Sequence, residues 1–195
     1  MALKILGGVA KGKALYAPKG DRIRPTSVML KRRIFDANQN LDEITFVDAC
    51  AGTGAMGLEA WSRGAEQVYL IEPNRQVFQL MQKNWDGLGA PGDVTLINKK
   101  IESWIIQFKR DYASWGTKTQ SQTVFYFDPP YTKHNLYEKI VLDYLLGESW
   151  FKGVLWLESD SKKGLSVDFW KKCGLNPENS FTQGDSFIWV VPFSK

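Results

Sequence analysis

The chain has 195 residues, 44% of them hydrophobic, with two cysteines, one histidine and a formal net charge of +4. That length can bury a core without disulfides or a structural metal, and two cysteines make no disulfide framework. The N-terminal residues lack the apolar stretch of a signal peptide and no run approaches membrane-spanning length, so a cytoplasmic protein without metal, not bound to a membrane, is expected.

The charge is unevenly placed. Residues 1–36 carry nine Lys or Arg against two Asp, a balance of +7, which leaves −3 for the remainder. A basic arm on a slightly acidic body suits an extension that touches phosphates. Residues 2–6 and 13–16 read as a small hairpin around Gly7, Gly8 and Gly12. Pro25 cannot lie within a helix, and Thr26 or Ser27 can cap the one that follows. From Val28 to Ala37, Leu30, Ile34 and Ala37, with Phe35 beside them, form an apolar stripe and Lys31, Arg32 and Arg33 an exposed basic side. Lys11, Lys13, Arg22, Arg24, Lys31, Arg32 and Arg33 are the candidate phosphate contacts.

The next stretch organises the rest. In TFVDACAGTGAMG, an apolar strand closes on Asp48, a turn follows through Ala49, Gly52, Thr53 and Gly54, and a helix starts at Ala55. Strand, glycine turn and helix place a ligand against bare backbone at a helix N-terminus. Gly52, Gly54 and Gly57 also spell the G-x-G-x-x-G of dinucleotide-binding dehydrogenases. Asp48 counts against that reading, because its carboxylate would face a pyrophosphate, whereas it can meet the cationic amino-acid end of S-adenosylmethionine. Glu72, closing the strand VYLIE, is placed to accept hydrogen bonds from ribose hydroxyls under either reading.

A helix over about 74–88 follows, with Val77, Leu80, Met81 and Trp85 as its core stripe. The strand VTLIN ends at Asn98, and the helix after it carries Ile101, Trp104, Ile105 and Phe108. Residues 114–122 read as a polar loop. The strand TVFYF runs into Asp128-Pro129-Pro130-Tyr131, and then come a helix over about 135–146, the strand VLWLES, a helix over about 167–172 and a closing hairpin. The pattern predicts an α/β, doubly wound Rossmann-like sheet, mostly parallel with an antiparallel strand near its C-terminal end. Residues 1–40 form a basic extension and 41–195 the main domain.

Asp48, Glu72, Asn98 and Asp128 each close a strand, so a parallel sheet would gather them along one carboxyl edge, with the glycine turn and the Asp-Pro-Pro-Tyr segment across one cleft. The prolines leave acceptors without donors: a target amino group meets the Asp128 carboxylate and the Pro129 carbonyl. Holding both amine hydrogens there directs the nitrogen lone pair towards a sulfonium methyl, by positioning and electrostatics and without a strong base. Pro130 stiffens the segment and Tyr131 offers a stacking face for an extruded base. In isolation the tetrapeptide is no more than a rigid turn. Cys50 reads as a packing residue and His134 as a surface loop residue.

The chain resembles the RsmD-type methyltransferases, which methylate the exocyclic amine of one guanine in small-subunit (16S) ribosomal RNA. The resemblance rests on ILGGVAKGK, Arg24-Pro25-Thr26 with Ile34-Phe35-Asp36, VDACAGTGAMGLEAWSRGA and FDPPY, and runs over nearly the whole length. It implies a class I methyltransferase fold, S-adenosylmethionine as donor, Asp128 to Tyr131 as the catalytic loop, Asp48, Ala49, Gly52, Thr53, Gly54, Glu72, Asn98 and Ile101 around the cofactor, the basic arm on RNA, and the small ribosomal subunit or its RNA as partner; a monomer is expected. Two positions depart from the family pattern: Arg32 stands where a glutamate is usual, and Lys100 where an acid meets the adenine, leaving Asn98, Glu102 or backbone alone to replace it. A DNA adenine or cytosine amine methyltransferase is the nearest alternative, although 195 residues leave no room for a target-recognition domain. A protein-glutamine methyltransferase would more often carry Asn at position 128, and a non-catalytic RNA-binding assembly factor would not need Asp48, Glu72 and Asp128.

Overall fold

The computed structural model describes residues 3–17, 28–129, 134–160 and 164–193. Arg22, Arg24, Thr26, Ser27, Pro130 and Tyr131 lie outside them. In chain order the elements are β1 (Leu3–Lys4), β2 (Ala14–Leu15), α1 (Val28–Ala37), β3 (Thr45–Asp48), α2 (Ala55–Ser62), β4 (Gln67–Ile71), α3 (Arg75–Gly87), β5 (Val94–Ile97), α4 (Ile101–Ala113), α5 (Thr117–Ser121), β6 (Thr123–Phe127), α6 (His134–Lys139), β7 (Val154–Asp160), α7 (Val167–Lys172), β8 (Asn179–Gln183) and β9 (Ser186–Pro192).

Seven strands form one sheet in the order β5-β4-β3-β6-β7-β9-β8, parallel from β5 to β7, with β9 antiparallel to β7 and β8 antiparallel to β9 at the edge. This is the doubly wound sheet expected from the sequence. Every residue of β3 and β6 is buried, as strands covered by helices on both faces require, and this explains their unbroken apolar runs. Asp48 is paired laterally with Leu70 of β4 and Tyr126 of β6, while Phe127 is paired with Leu157 of β7. Glu72, Asn98 and Asp128 follow their strands directly, so the predicted gathering at the carboxyl edge is real.

Each face of the sheet has its own core. On one, Phe35 of α1 meets Trp156 edge-on at 5.8 Å between ring centroids, and Phe46 stacks on Tyr126 at 6.3 Å. Leu3, Ile5, Leu15 and Leu30 belong to this same cluster, so the basic extension and the sheet share apolar packing. On the other face, Trp104 and Phe108 of α4 stack at 4.5 Å and continue through Tyr112 to Trp150 and Phe151.

Several local expectations change. On α1 the buried residues are Leu30, Lys31, Ile34 and Phe35, and Ala37 is exposed. Within the expected loop at 114–122 lies α5, held where the Tyr112 hydroxyl donates to the Gln120 carbonyl at 2.7 Å and the Gln120 amide donates back to the Tyr112 carbonyl at 2.9 Å. The helix after the proline segment is α-helical only as far as Lys139 and continues as a π-helix over Ile140–Leu146. Asn74 caps α3 by accepting from the amides of Gln76 and Val77. Of that helix's expected stripe only Met81 is fully buried, with Asn84 as the other buried residue. No helix among the described residues is long and apolar enough to cross a membrane.

Candidate active site

The turn after β3 is built by backbone conformation. Gly52 and Gly54 have φ of 55° and 82°, the left-handed region open to glycine at little cost, and the Gly54 amide closes the turn on the Ala51 carbonyl at 2.7 Å. The amides of Ala49 and Ala51 donate to Tyr126 of β6 and Ile71 of β4 at 2.9 Å each, so the chain leaves β3 stitched to both neighbouring strands. A Cβ on Gly57 would stand 2.1 Å from Leu70 Cδ2. The third glycine of the motif thus serves close packing of α2 on β4.

Asp48 is only 1% exposed and lies beneath the turn. Its Oδ2 accepts the Gly57 amide at 3.1 Å, and its Oδ1 is buried with no hydrogen-bond partner. Burial pushes its pKa up to about 7, opposed by the Gly57 amide and reinforced by the Glu72 charge. Such a carboxyl braces the turn and gives the cradle a negative potential, rather than standing open to the cleft. Ala49, Thr53 and Gly54 are buried with it.

Glu72 accepts the amide of Gly52 at 3.1 Å through Oε2 and that of Asn74 at 2.7 Å through Oε1, and burial raises its pKa. It therefore couples the glycine turn to the start of α3. Asn98 is exposed and donates through its side-chain amide to the carbonyls of Glu72 and Pro73, at 2.7 and 3.3 Å, fixing the end of β4. Ile101 is buried at the first turn of α4, and Lys100 is exposed at its N-cap. Burial, with the Asp128 charge, pushes the Cys50 thiol well up, which suits a packing residue and not a nucleophile.

Asp128 is half-buried at the end of β6, beside the turn. Burial, then the charges of Glu158 and Asp48, raises its pKa well above the usual carboxylate range. The Pro129 carbonyl accepts from the Tyr137 hydroxyl of α6 at 3.3 Å. Neither Glu158 nor Tyr137 was found from sequence. Glu158 carried one signal, an acid near the end of an otherwise apolar strand.

The basic arm divides in two. Lys11, Lys13, Arg32 and Arg33 are exposed, and Arg33 donates to the Thr182 carbonyl of β8. Lys31 is not an exposed contact: it is 2% exposed, pairs with Glu59 of α2 at 2.9 Å and donates to the Ala55 carbonyl at 3.0 Å. Glu59 also accepts the Leu6 amide at 2.7 Å and the Arg63 guanidinium at 2.8 Å, so one carboxylate fastens the hairpin, α1 and α2 together. Burial lowers the Lys31 pKa, and Glu59 opposes that fall. Asn84 provides a second fastening, accepting from the Tyr16 amide at 2.6 Å while donating to the Tyr16 carbonyl at 3.0 Å and the Thr53 carbonyl at 2.9 Å.

A glycine cradle braced by Asp48 and Glu72, with an unpartnered buried carboxylate oxygen below it, suits a ligand with ribose hydroxyls and a cationic end. Comparison with known proteins agrees. A family model described as "Conserved hypothetical protein 95" matches residues 3–174. Ribosomal RNA small subunit methyltransferase D of Escherichia coli K12 is 30% identical over 166 residues, covering 84% of this chain and 77% of that protein. Among solved structures, Escherichia coli yhhF superposes with a TM-score of 0.74 at 23% identity, covering 100% of this chain and 99% of the other. An RNA methyltransferase from Salinibacter ruber in complex with S-adenosyl-L-homocysteine superposes with a TM-score of 0.57 at 12% identity, covering 88% and 95% of the two chains.

Proposed function

The chain belongs to the RsmD-type family of S-adenosylmethionine-dependent ribosomal RNA methyltransferases, and from that premise we propose that it methylates the exocyclic amine of a guanine in the small ribosomal subunit. The observation that carries this reading is the pair of acceptors at the end of β6, the Asp128 carboxyl and the Pro129 carbonyl, set beside the glycine turn of the neighbouring β3.

When bound, S-adenosylmethionine supplies a methyl group on a positively charged sulfur. The turn at Gly52 and Gly54 offers bare backbone to the nucleoside, Glu72 retains lone pairs for the ribose hydroxyls, and Ile101 gives the adenine an apolar neighbour. Asp48 favours the cationic end through its field. Asp128 and Pro129 hold the two amine hydrogens of the target base, turning the nitrogen lone pair out of conjugation with the ring and towards the methyl. Pro130 keeps that segment stiff, and Tyr131 stacks on the extruded base, worth about 1–3 kcal/mol. Lys11, Lys13, Arg22, Arg24, Arg32 and Arg33 take phosphates, and each contact strengthens binding in a salt-dependent way.

The test offers labelled S-adenosylmethionine with unmodified small subunits, naked ribosomal RNA and duplex DNA in parallel. Label on a guanine amine of the subunits is expected, and Asp128→Ala should abolish it while leaving S-adenosylhomocysteine binding within about threefold. Label on DNA instead would overturn the substrate assignment, and loss of cofactor binding in the variant would make Asp128 a structural residue.

A further inference from the structure

Methyl transfer to an aromatic amine leaves a proton to be placed. The nitrogen–methyl bond forms as the methyl–sulfur bond breaks, the positive charge passes from sulfur to nitrogen, and one N–H proton must then leave. Asp128 already touches that nitrogen in the reading above, on which this inference rests.

The register supplies Asp128 with a partner. Phe127 is abreast of Leu157 in the last pair of the β6–β7 ladder, so Asp128 and Glu158 are the residues that follow it on two adjacent parallel chains about 4.8 Å apart, close enough for the Glu158 charge to act on Asp128. Glu158 is 2% exposed, and its Oε2 accepts the Tyr126 hydroxyl at 2.5 Å. Tyr126 is itself on β6, two residues before Asp128 and on its face. We propose that Glu158 works with Asp128 as a carboxyl pair that receives the proton lost by the target amine.

A buried and a half-buried carboxyl group so close together cannot both carry charge cheaply, so the pair binds one proton more avidly than a solvated carboxylate would. In the proposed step the pair starts unprotonated, Asp128 takes the proton from nitrogen, and the Tyr126 hydrogen bond keeps Glu158 in place beside it. Asp48 on β3 acts on Asp128 in the same direction, and the Cys50 thiol, itself raised by Asp128, Asp48, Glu72 and Glu102, faces the same acidic surroundings. The cations Lys31 and Arg63 are engaged at Glu59. Burial and the Glu158 charge accordingly raise the Asp128 pKa.

Glu158→Gln keeps the shape and removes the charge. Bound S-adenosylhomocysteine and the KM for subunits should stay within about twofold while kcat falls by about 100-fold. The acid limb of the kcat profile should move to lower pH, and carbon-13 NMR of the Asp128 carboxyl in the free protein should show it titrating about one unit lower. Glu158→Asp, which keeps the charge, should return the limb towards its original position. Unchanged kcat and an unchanged Asp128 titration would reduce Glu158 to a brace for Tyr126, as would a parallel loss of cofactor affinity and melting temperature. Should the Asp128 titration move while the parent protein methylates no guanine, the carboxyl pair stands and the substrate reading fails.

Discussion

Lys31 sits among the basic residues of the arm yet belongs to the core, and Lys31→Met separates these roles. Its ammonium is buried against Glu59 at 2.9 Å, and methionine fills similar volume without the charge. Removing one partner of a buried ion pair costs about 3–5 kcal/mol, because the remaining charge stays buried. Glu59 would retain the Leu6 amide and Arg63, at 2.7 and 2.8 Å, which places the expected loss near the lower end, about 3 kcal/mol. Urea unfolding of variant and parent at neutral pH measures it through the midpoint at constant slope. Adding Glu59→Gln to the variant should recover part of the loss. Affinity for RNA measured against salt should keep the parent's slope in Lys31→Met, whereas Arg32→Ala should reduce the slope by about 0.7 to 0.9. A Lys31→Met protein of parental stability with a flattened salt dependence would refute the buried assignment and return Lys31 to the RNA surface.

Two other perturbations probe the cradle. The Asp48 carboxyl titrates near pH 7 when folded against 3.8 in its reference state, so the folded protein holds a proton that the unfolded chain releases, and the resulting stability is lost as pH rises from about 4 through about 7. Asp48→Asn removes that dependence: its stability relative to the parent should climb by up to about 4 kcal/mol across this window and level off above it, while affinity for S-adenosylmethionine weakens. A gap that does not change with pH would mean an ordinary carboxyl. Gly57→Ala should cost about 1–3 kcal/mol by thermal denaturation, because its Cβ would meet Leu70 Cδ2, and Leu70→Ala in the same chain should relieve the strain. Equal melting temperatures for Gly57→Ala and parent would show that α2 has space to shift.

What could be read from sequence was whatever repeats along the chain. Strands buried on both faces left unbroken apolar runs, and the acids or amides that end them at 48, 72, 98 and 128 stood out because the runs stop there. Lys31 escaped because periodicity assigns a lysine to solvent, and the partner that draws it inward lies on another helix, 28 residues away. Asn84 escaped likewise, since its bonds to Tyr16 span 68 residues. Glu158 depends on register: only the pairing of β6 with β7, which ends at Phe127 and Leu157, brings it near Asp128. The π-helical turns after Lys139 and the short α5 lie in segments whose local propensity differs little between neighbouring conformations.

The carboxyl edge of this sheet is a stair and not a straight rim. Asp48 ends its strand level with Tyr126, so Asp128 stands two residues further along the strand direction, a step of about 6–7 Å at about 3.3 Å per residue. β7 climbs further, to Asp160. The glycine turn occupies the lower tread and Asp128 with Pro129 the riser above it, so strand length acts as the ruler between the two halves of the proposed site. Within Thr123–Phe127 the apolar residues can be exchanged for one another at modest cost, but their number is fixed. One residue more would turn Asp128 to the opposite face of the sheet, and two would restore the face while lifting the carboxylate a full tread away from the glycine turn.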